Sequence, residues 1–422
     1  MTDPSSYFLT EQQLQARFDE KVREWVFSDY EPQTEPVLVL LGGQPAAGKS
    51  QATVTVVQRH KGQVVPLTGD ELRLFHPRYE ELLAEDAQTR ETATAQFSGA
   101  MVRMSIEHAL HNGYGLLLEG VFRDPAMTIG TAEQFAKAGR PVEVVALAVR
   151  EERSRLDALG RFLDGGRWTP PALQDLAYGK VPQTIAAAEQ SPAVVRITVT
   201  NRSGADLYSC ERGADGLWPG GTGAVPVLED ERKKPLLPHE AAAWLEKYRT
   251  VLVEMAARGE TNDKSRPVLR RLAEDAEVVA TMAADDPGSP VRERHEAVRP
   301  LLASLVEQPL AAATDSVPLA LLPSLPPTPQ GREEARRRDG LSPAARSAED
   351  ELRSALAAAR RGHQGIGGAP QAAPRRPDAN AARSRSTTTR GRPSATAGPQ
   401  TPPADARRPH LSPPEPRRGR GR

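Results

Sequence analysis

The sequence predicts an α/β fold, a parallel sheet with helices on both faces, followed by a helical extension and a disordered tail. Three observations predict it. Over the first half of the chain, short apolar runs alternate with helical patterns, the rhythm of strand–helix–strand units. A glycine-rich segment joins the first of these strands to its helix. Beyond about residue 312 the chain turns to Pro, Ala, Ser and Arg, a composition that cannot bury a core.

The elements follow in order. Residues 11–27 carry apolar side chains at helical spacing. A short apolar run at 37–41 reads as a buried parallel strand, and 50–60 as the helix after it. Further strands are expected at 64–67, 116–118, 142–149 and 194–200. Helices are expected at 78–111, 131–138, 151–163 and 171–188. A hairpin is expected around 201–208. The α/β domain is placed at 1–232. Three amphipathic helices, at 240–257, 267–284 and 290–306, form an extension spanning 239–310. The tail covers 311–422, with one helical patch at 343–361.

Bulk composition agrees with a partly unstructured chain. Of 422 residues, 38% are hydrophobic and 5% aromatic, and 38 are proline, so not all of the chain belongs to a packed core. The formal net charge is zero, but residues 331–422 hold 20 Arg, no Lys and 9 Asp or Glu. The rest of the chain is therefore acidic by the same amount. No aromatic residue interleaves the basic tail, so base-stacking recognition and a specific nucleic-acid partner are not expected. The single cysteine, Cys210, allows no internal disulfide. The N-terminal segment lacks the charged and apolar regions of a signal peptide. No apolar run approaches the roughly 20 residues of a membrane span. The expected location is the cytoplasm.

The chemistry begins at Gly43, Gln44, Pro45, Ala46, Ala47, Gly48, Lys49 and Ser50. This run matches G-x-x-x-x-G-K-[ST] between a strand and a helix, the context that a phosphate-binding P-loop requires. The fold class is accordingly that of P-loop NTPases. The glycines let the backbone wrap a phosphate, and the loop amides and helix N-terminus form a partly positive nest. Lys49 would bridge the β- and γ-phosphates, and the Ser50 hydroxyl would ligate Mg²⁺.

Other polar residues cluster at the same expected sheet edge. Asp70 follows the second strand. It can accept a proton from an acceptor hydroxyl or hold Mg²⁺ through water, or it can simply cap the next helix. Glu119 ends the third strand, with Arg123 four residues on. They read as a metal-supporting carboxylate and an anion-binding arginine, or as a structural ion pair. Arg161 and Arg167 bracket a Gly-Gly turn. They read as a flexible lid that neutralises charge on a transferred phosphoryl group, or as solvated surface arginines.

Taken in order, GGQPAAGKS (42–50), TGDELRLFHPRY (68–79), LLLEGVFRDP (116–125), Arg161 with Arg167, AYGKVPQTI (177–185) and VTNRSGADLY (199–208) resemble the zeta toxin family. The resemblance covers about residues 10–232. It implies a small-molecule kinase that uses ATP or GTP with Mg²⁺. The implied acceptor is the 3′-hydroxyl of the amino sugar in UDP-N-acetylglucosamine, and the implied partner is a helical antitoxin. It makes Asp70 the general base. It places Arg73, Glu119 and Arg123 with Asp70 on the acceptor, and Arg161 and Arg167 on the triphosphate. Three departures stand out. Ala46 replaces a glycine, which is compatible with a negative φ. Val121 stands where the family often has Thr. Glu107 is the nearest carboxylate to the family's upstream substrate glutamate. Two other readings stay open: a P-loop kinase with another acceptor, such as a nicotinamide dinucleotide, and a non-catalytic NTP-binding regulator. The extension reads as a docking or spacer module, or as a built-in restraint on the nucleotide site.

Overall fold

The computed structural model describes residues 3–85, 87–283, 290–307 and 341–364. Six strands form one sheet in the order β2-β3-β1-β4-β5-β6. They are β1 (Leu38–Gly42), β2 (Val64–Thr68), β3 (Gly115–Gly120), β4 (Val142–Leu147), β5 (Arg196–Thr200) and β6 (Asp206–Glu211). The first five pair in parallel, and β6 closes the edge antiparallel to β5. That last pair is the expected hairpin.

Alternation along β1 explains the layers. Leu38 and Leu40 enter one core while Val39 and Leu41 enter the other. The second face is covered by α3 (Lys49–Arg59) through Ala52, Val56 and Val57. The first face is covered by α1 (Glu11–Arg17), α2 (Arg23–Phe27) and later helices through Leu14, Val26, Phe97 and Phe135. A single turn of π-helix, Phe18–Val22, joins α1 to α2, so the expected helix over 11–27 carries a bulge.

The long helix expected at 78–111 is broken. After α4 (Gly69–Leu72) the chain forms a 3₁₀ turn at Arg73–Phe75, then α5 (Tyr79–Leu82), then α6 (Ala87–Asn112). His76 lies buried in the first break, its Nε2 donating to the Tyr7 carbonyl at 3.0 Å while its Nδ1 accepts from the Arg78 amide at 3.1 Å. Helix α7 (Pro125–Lys137) starts six residues before the expected position. The Asp124 carboxylate accepts from the amides of Ala126 and Met127 (3.0 and 3.2 Å), and Pro125 occupies the first helical position, a cap that the Asp-Pro pair encodes.

Beyond β4 come α8 (Glu151–Gly165), α9 (Pro171–Gln190) and α10 (Ala224–Lys233). The extension forms α11 (Pro238–Ala257), α12 (Arg266–Met282) and α13 (Pro290–Glu307). The helical patch in the tail is present as α14 (Pro343–Gln364). Its Ala348 and Leu352 are buried in a second hydrophobic core with α11, α12, α13 and α8, so the tail is not uniformly without structure. The rest of the Pro/Arg-rich tail lies outside the described residues. No described helix is long and apolar enough to cross a membrane.

Candidate active site

Strand β1 sits at the centre of the sheet, between β3 and β4, so the loop after it opens at the point where the strand order diverges. Ligands of open α/β sheets bind at that point. Two glycines shape the loop for different reasons. Gly48 has φ +93° and caps α3, a conformation costly for any residue with a Cβ. A Cβ on Gly43 would sit 3.1 Å from the Leu147 Cβ at the end of β4, so this glycine serves close packing. Ala46 also lies in the left-handed region, at φ +58°, contrary to the negative φ expected for it. The Gln44 side chain turns away from the loop mouth. It is fully buried, donates to the Val149 carbonyl at 2.8 Å and accepts from Arg232 at 3.4 Å. Pro45 has no N–H, so the loop's donors are its other amides.

Lys49 is half-buried and folds across the loop, its ammonium donating to the carbonyls of Gly43 (3.1 Å) and Gln44 (3.3 Å). Burial pulls its pKa down to about 8. The Glu119 carboxylate opposes that shift, while Arg161 and Arg167 reinforce it. Those three charges therefore bear on the lysine from elsewhere in the fold. Glu119 does so because it lies two residues beyond Leu117, which faces α3. It is in register with Leu41 on β1 and Thr68 on β2.

Asp70 occupies the first turn of α4, but the N-cap is Thr68 and no side-chain cap forms. The carboxylate instead pairs with two arginines. Arg167 donates to one oxygen, and the Arg73 Nε lies 3.6 Å from the other. Arg73 is itself fixed on α6, donating to the Glu91 carbonyl (2.9 Å) and carboxylate (2.7 Å). The corner carrying Asp70 is pressed against the same helix: Ser98 donates to the Gly69 carbonyl at 2.6 Å, and a Cβ on Gly69 would come within 2.8 Å of that hydroxyl.

The remaining expected residues take varied positions. Ser50 is exposed at the start of α3 and Arg123 is exposed beyond β3. Glu119 and Arg123 do not pair with each other, which removes the ion-pair reading. The Gly-Gly segment between Arg161 and Arg167 is no independent loop: α8 runs through Gly165, and Gly166 is its left-handed C-cap at φ +65°. The Gly166 carbonyl accepts from Arg90 at 3.1 Å. Glu107 belongs elsewhere. It pairs with Arg103 near the end of α6 that leads into β3, at the opposite sheet edge. The carboxylate at the site end of that helix is Glu91, whose link to Arg73 no sequence spacing revealed. Phe122 was also missed. It has φ +51°, and its ring packs where a Cβ on Gly42 would fall, 2.1 Å away.

Among the described residues no group of three His, Cys, Asp or Glu side chains converges as a metal cage. A hydroxyl at the head of α3 and one nearby carboxylate do fit Mg²⁺, which takes few protein ligands and completes its shell with phosphates and water.

A parallel sheet with a phosphate-type loop at its divergence point, and basic side chains around it, defines a P-loop kinase-type fold. Residues 23–212 match the zeta toxin family model, so this segment is similar to that family. It is 26% identical to a toxin zeta of Enterococcus hirae over 181 residues, covering 41% of this chain and 63% of that one. It is 27% identical to toxin PezT of Streptococcus pneumoniae over 203 residues, covering 46% of this chain and 78% of that one. The chain thus spans less than two thirds of the Enterococcus relative's length. A structure from the PezAT chromosomal toxin–antitoxin system of Streptococcus pneumoniae aligns at 24% identity with a TM-score of 0.45, over 53% of this chain and 88% of that one.

Proposed function

We propose that this chain is a toxin-type kinase. It would transfer the γ-phosphoryl group of ATP or GTP to a sugar hydroxyl of UDP-N-acetylglucosamine or a related nucleotide. The observation that carries the reading is the convergence of Lys49, Glu119, Arg161 and Arg167 on the P-loop, with Asp70 held by one of the same arginines. In this reading the triphosphate lies in the loop, on the amides of residues 43–48 other than Pro45. Lys49 leaves the loop carbonyls for the β- and γ-phosphates. The Ser50 hydroxyl would hold Mg²⁺, which would supply positive charge to the phosphates when bound. Arg161 and Arg167 neutralise what remains.

The Arg167–Asp70 pair gives the mechanism a switch. A triphosphate competes with the carboxylate for the Arg167 guanidinium. Once Arg167 turns to phosphate, Asp70 is free to take the acceptor hydroxyl's proton. Arg73 keeps the carboxylate aimed, while Glu119 and Arg123 contact the sugar nucleotide. Val121 supplies no hydroxyl to that pocket, which leaves room for a kinase with a different nucleotide acceptor, such as a nicotinamide dinucleotide. A helical antitoxin is the expected partner and the cytoplasm the expected location.

The test is transfer of label from γ-labelled ATP by the full chain with Mg²⁺ and UDP-N-acetylglucosamine. Label on the sugar nucleotide, lost in both Asp70→Asn and Lys49→Ala, is the expected result. ATP binding without transfer to this sugar, but with transfer to another hydroxyl-bearing nucleotide, would replace the acceptor. Binding with no turnover on any acceptor would leave the regulatory reading.

A further inference from the structure

Helix α8 belongs to two structures at once. One end of it bears Arg161, with Arg167 just beyond, and both act on the P-loop lysine. Its Leu156 and Leu159 are buried in the second core, among Leu245, Leu252, Leu269 and Leu272 of the extension. Polar contacts run along the same seam from the first turn to the last. Trp244 Nε1 donates to the Glu152 carbonyl at 3.2 Å, Arg153 pairs with Glu240 at 3.2 Å, and Lys247 pairs with Asp157 at 2.5 Å. The buried Arg155 guanidinium pairs with Asp275 on α12. Arg258 donates to the Leu163 carbonyl at 2.7 Å. That carbonyl is one of the four at a helix C-terminus with no partner inside the helix, and a cation there also meets the negative end of the helix dipole.

We infer that the extension, residues 238–307, is the backing of the arginine lid: it orders the C-terminal turns of α8 and so positions Arg161 and Arg167 over the phosphates. Arg258 and Asp275 are positioning residues in this scheme, since neither reaches the P-loop. A spacer has no reason to share a core with α8. The consequence for turnover rests on the kinase reading above; the ordering of α8 does not.

The full chain carrying Arg258→Ala, and separately Asp275→Asn, tests this against Arg270→Ala. Arg270 pairs with Glu307 wholly inside the extension, at 2.6 Å. Two readouts are needed: hydrogen exchange of the amides of Phe162–Gly166, and kcat and KM for phosphoryl transfer. In Arg258→Ala those amides should exchange about tenfold faster, with the thermal midpoint near that of the parent. Its kcat should fall about tenfold with the acceptor KM little changed, and Asp275→Asn should follow the same pattern. Arg270→Ala should match the parent. Parent-like exchange in both seam variants overturns the inference, and so does faster exchange with unchanged kcat. Should the parent chain transfer no phosphoryl group, the kinase reading falls alone, and exchange by itself decides whether the extension orders α8.

Discussion

Ala46 occupies a left-handed backbone position, φ +58°, inside the P-loop. That conformation costs an L-residue about 1–2 kcal/mol. Glycine there removes the strain but adds about 0.4–1 kcal/mol of unfolded-state entropy to lose. Ala46→Gly should therefore stabilise the chain by up to about 1.6 kcal/mol, read as a higher denaturant midpoint at constant slope; a lower midpoint would mean that the loop relaxes around alanine. Lys49 gives a pH signature. Its pKa falls from 10.5 in the unfolded chain to about 8 in the fold. Between those values the unfolded state holds the extra proton, so this group makes stability rise with pH from about 8 to 10.5. Below 8 the lysine is charged in both states and its burial penalty is fully present. A triphosphate on Lys49 restores the charged form, so nucleotide binding near pH 8.5 should take up protons. Calorimetry in two buffers of different ionisation enthalpy measures that uptake; identical apparent enthalpies would contradict the placement of the lysine on phosphate.

At the scale of elements, the end of β1 and the loop after β3 are interlocked. The Phe122 ring fills the space beside Gly42, and the Phe122 carbonyl accepts from Thr184 on α9 at 3.2 Å. Gly42→Ala should cost about 2–3 kcal/mol through overpacking. Gly42→Ala combined with Phe122→Ala should cost clearly less than the sum of the two single changes. Additive losses in a denaturation cycle would show that the ring does not occupy that space. Most elements near the site were legible along the chain. The strands are short buried apolar runs, and the P-loop brings its own strand and helix with it. The helix at 78–111 was misread because helical spacing persists across the break at residues 83–85. The helix start at Asp124 was missed although its capping signal was present. Asp70 was placed on the correct strand end. Its arginine partners were not legible, because Arg167 is 97 residues away and reaches it only through the crossover from β4.

Across the whole molecule, α8 packs its leucines into the second core with the extension, while its other end bears Arg161, with Arg167 just beyond and paired with Asp70. Features set by local spacing could be read from the residues alone: the phosphate-type loop, the alternation of strands and helices, three helices in the extension, and a low-complexity tail with one amphipathic patch. Local spacing suffices there because backbone hydrogen bonding and side-chain periodicity act over a few residues. Tertiary structure decided which carboxylates meet which arginines, that Glu91 rather than Glu107 stands at the site end of α6, and that the extension packs on α8 instead of hanging free. Those outcomes depend on contacts between segments far apart in sequence. Such contacts are selected by burial and charge pairing in three dimensions, which leave no periodic mark along the chain.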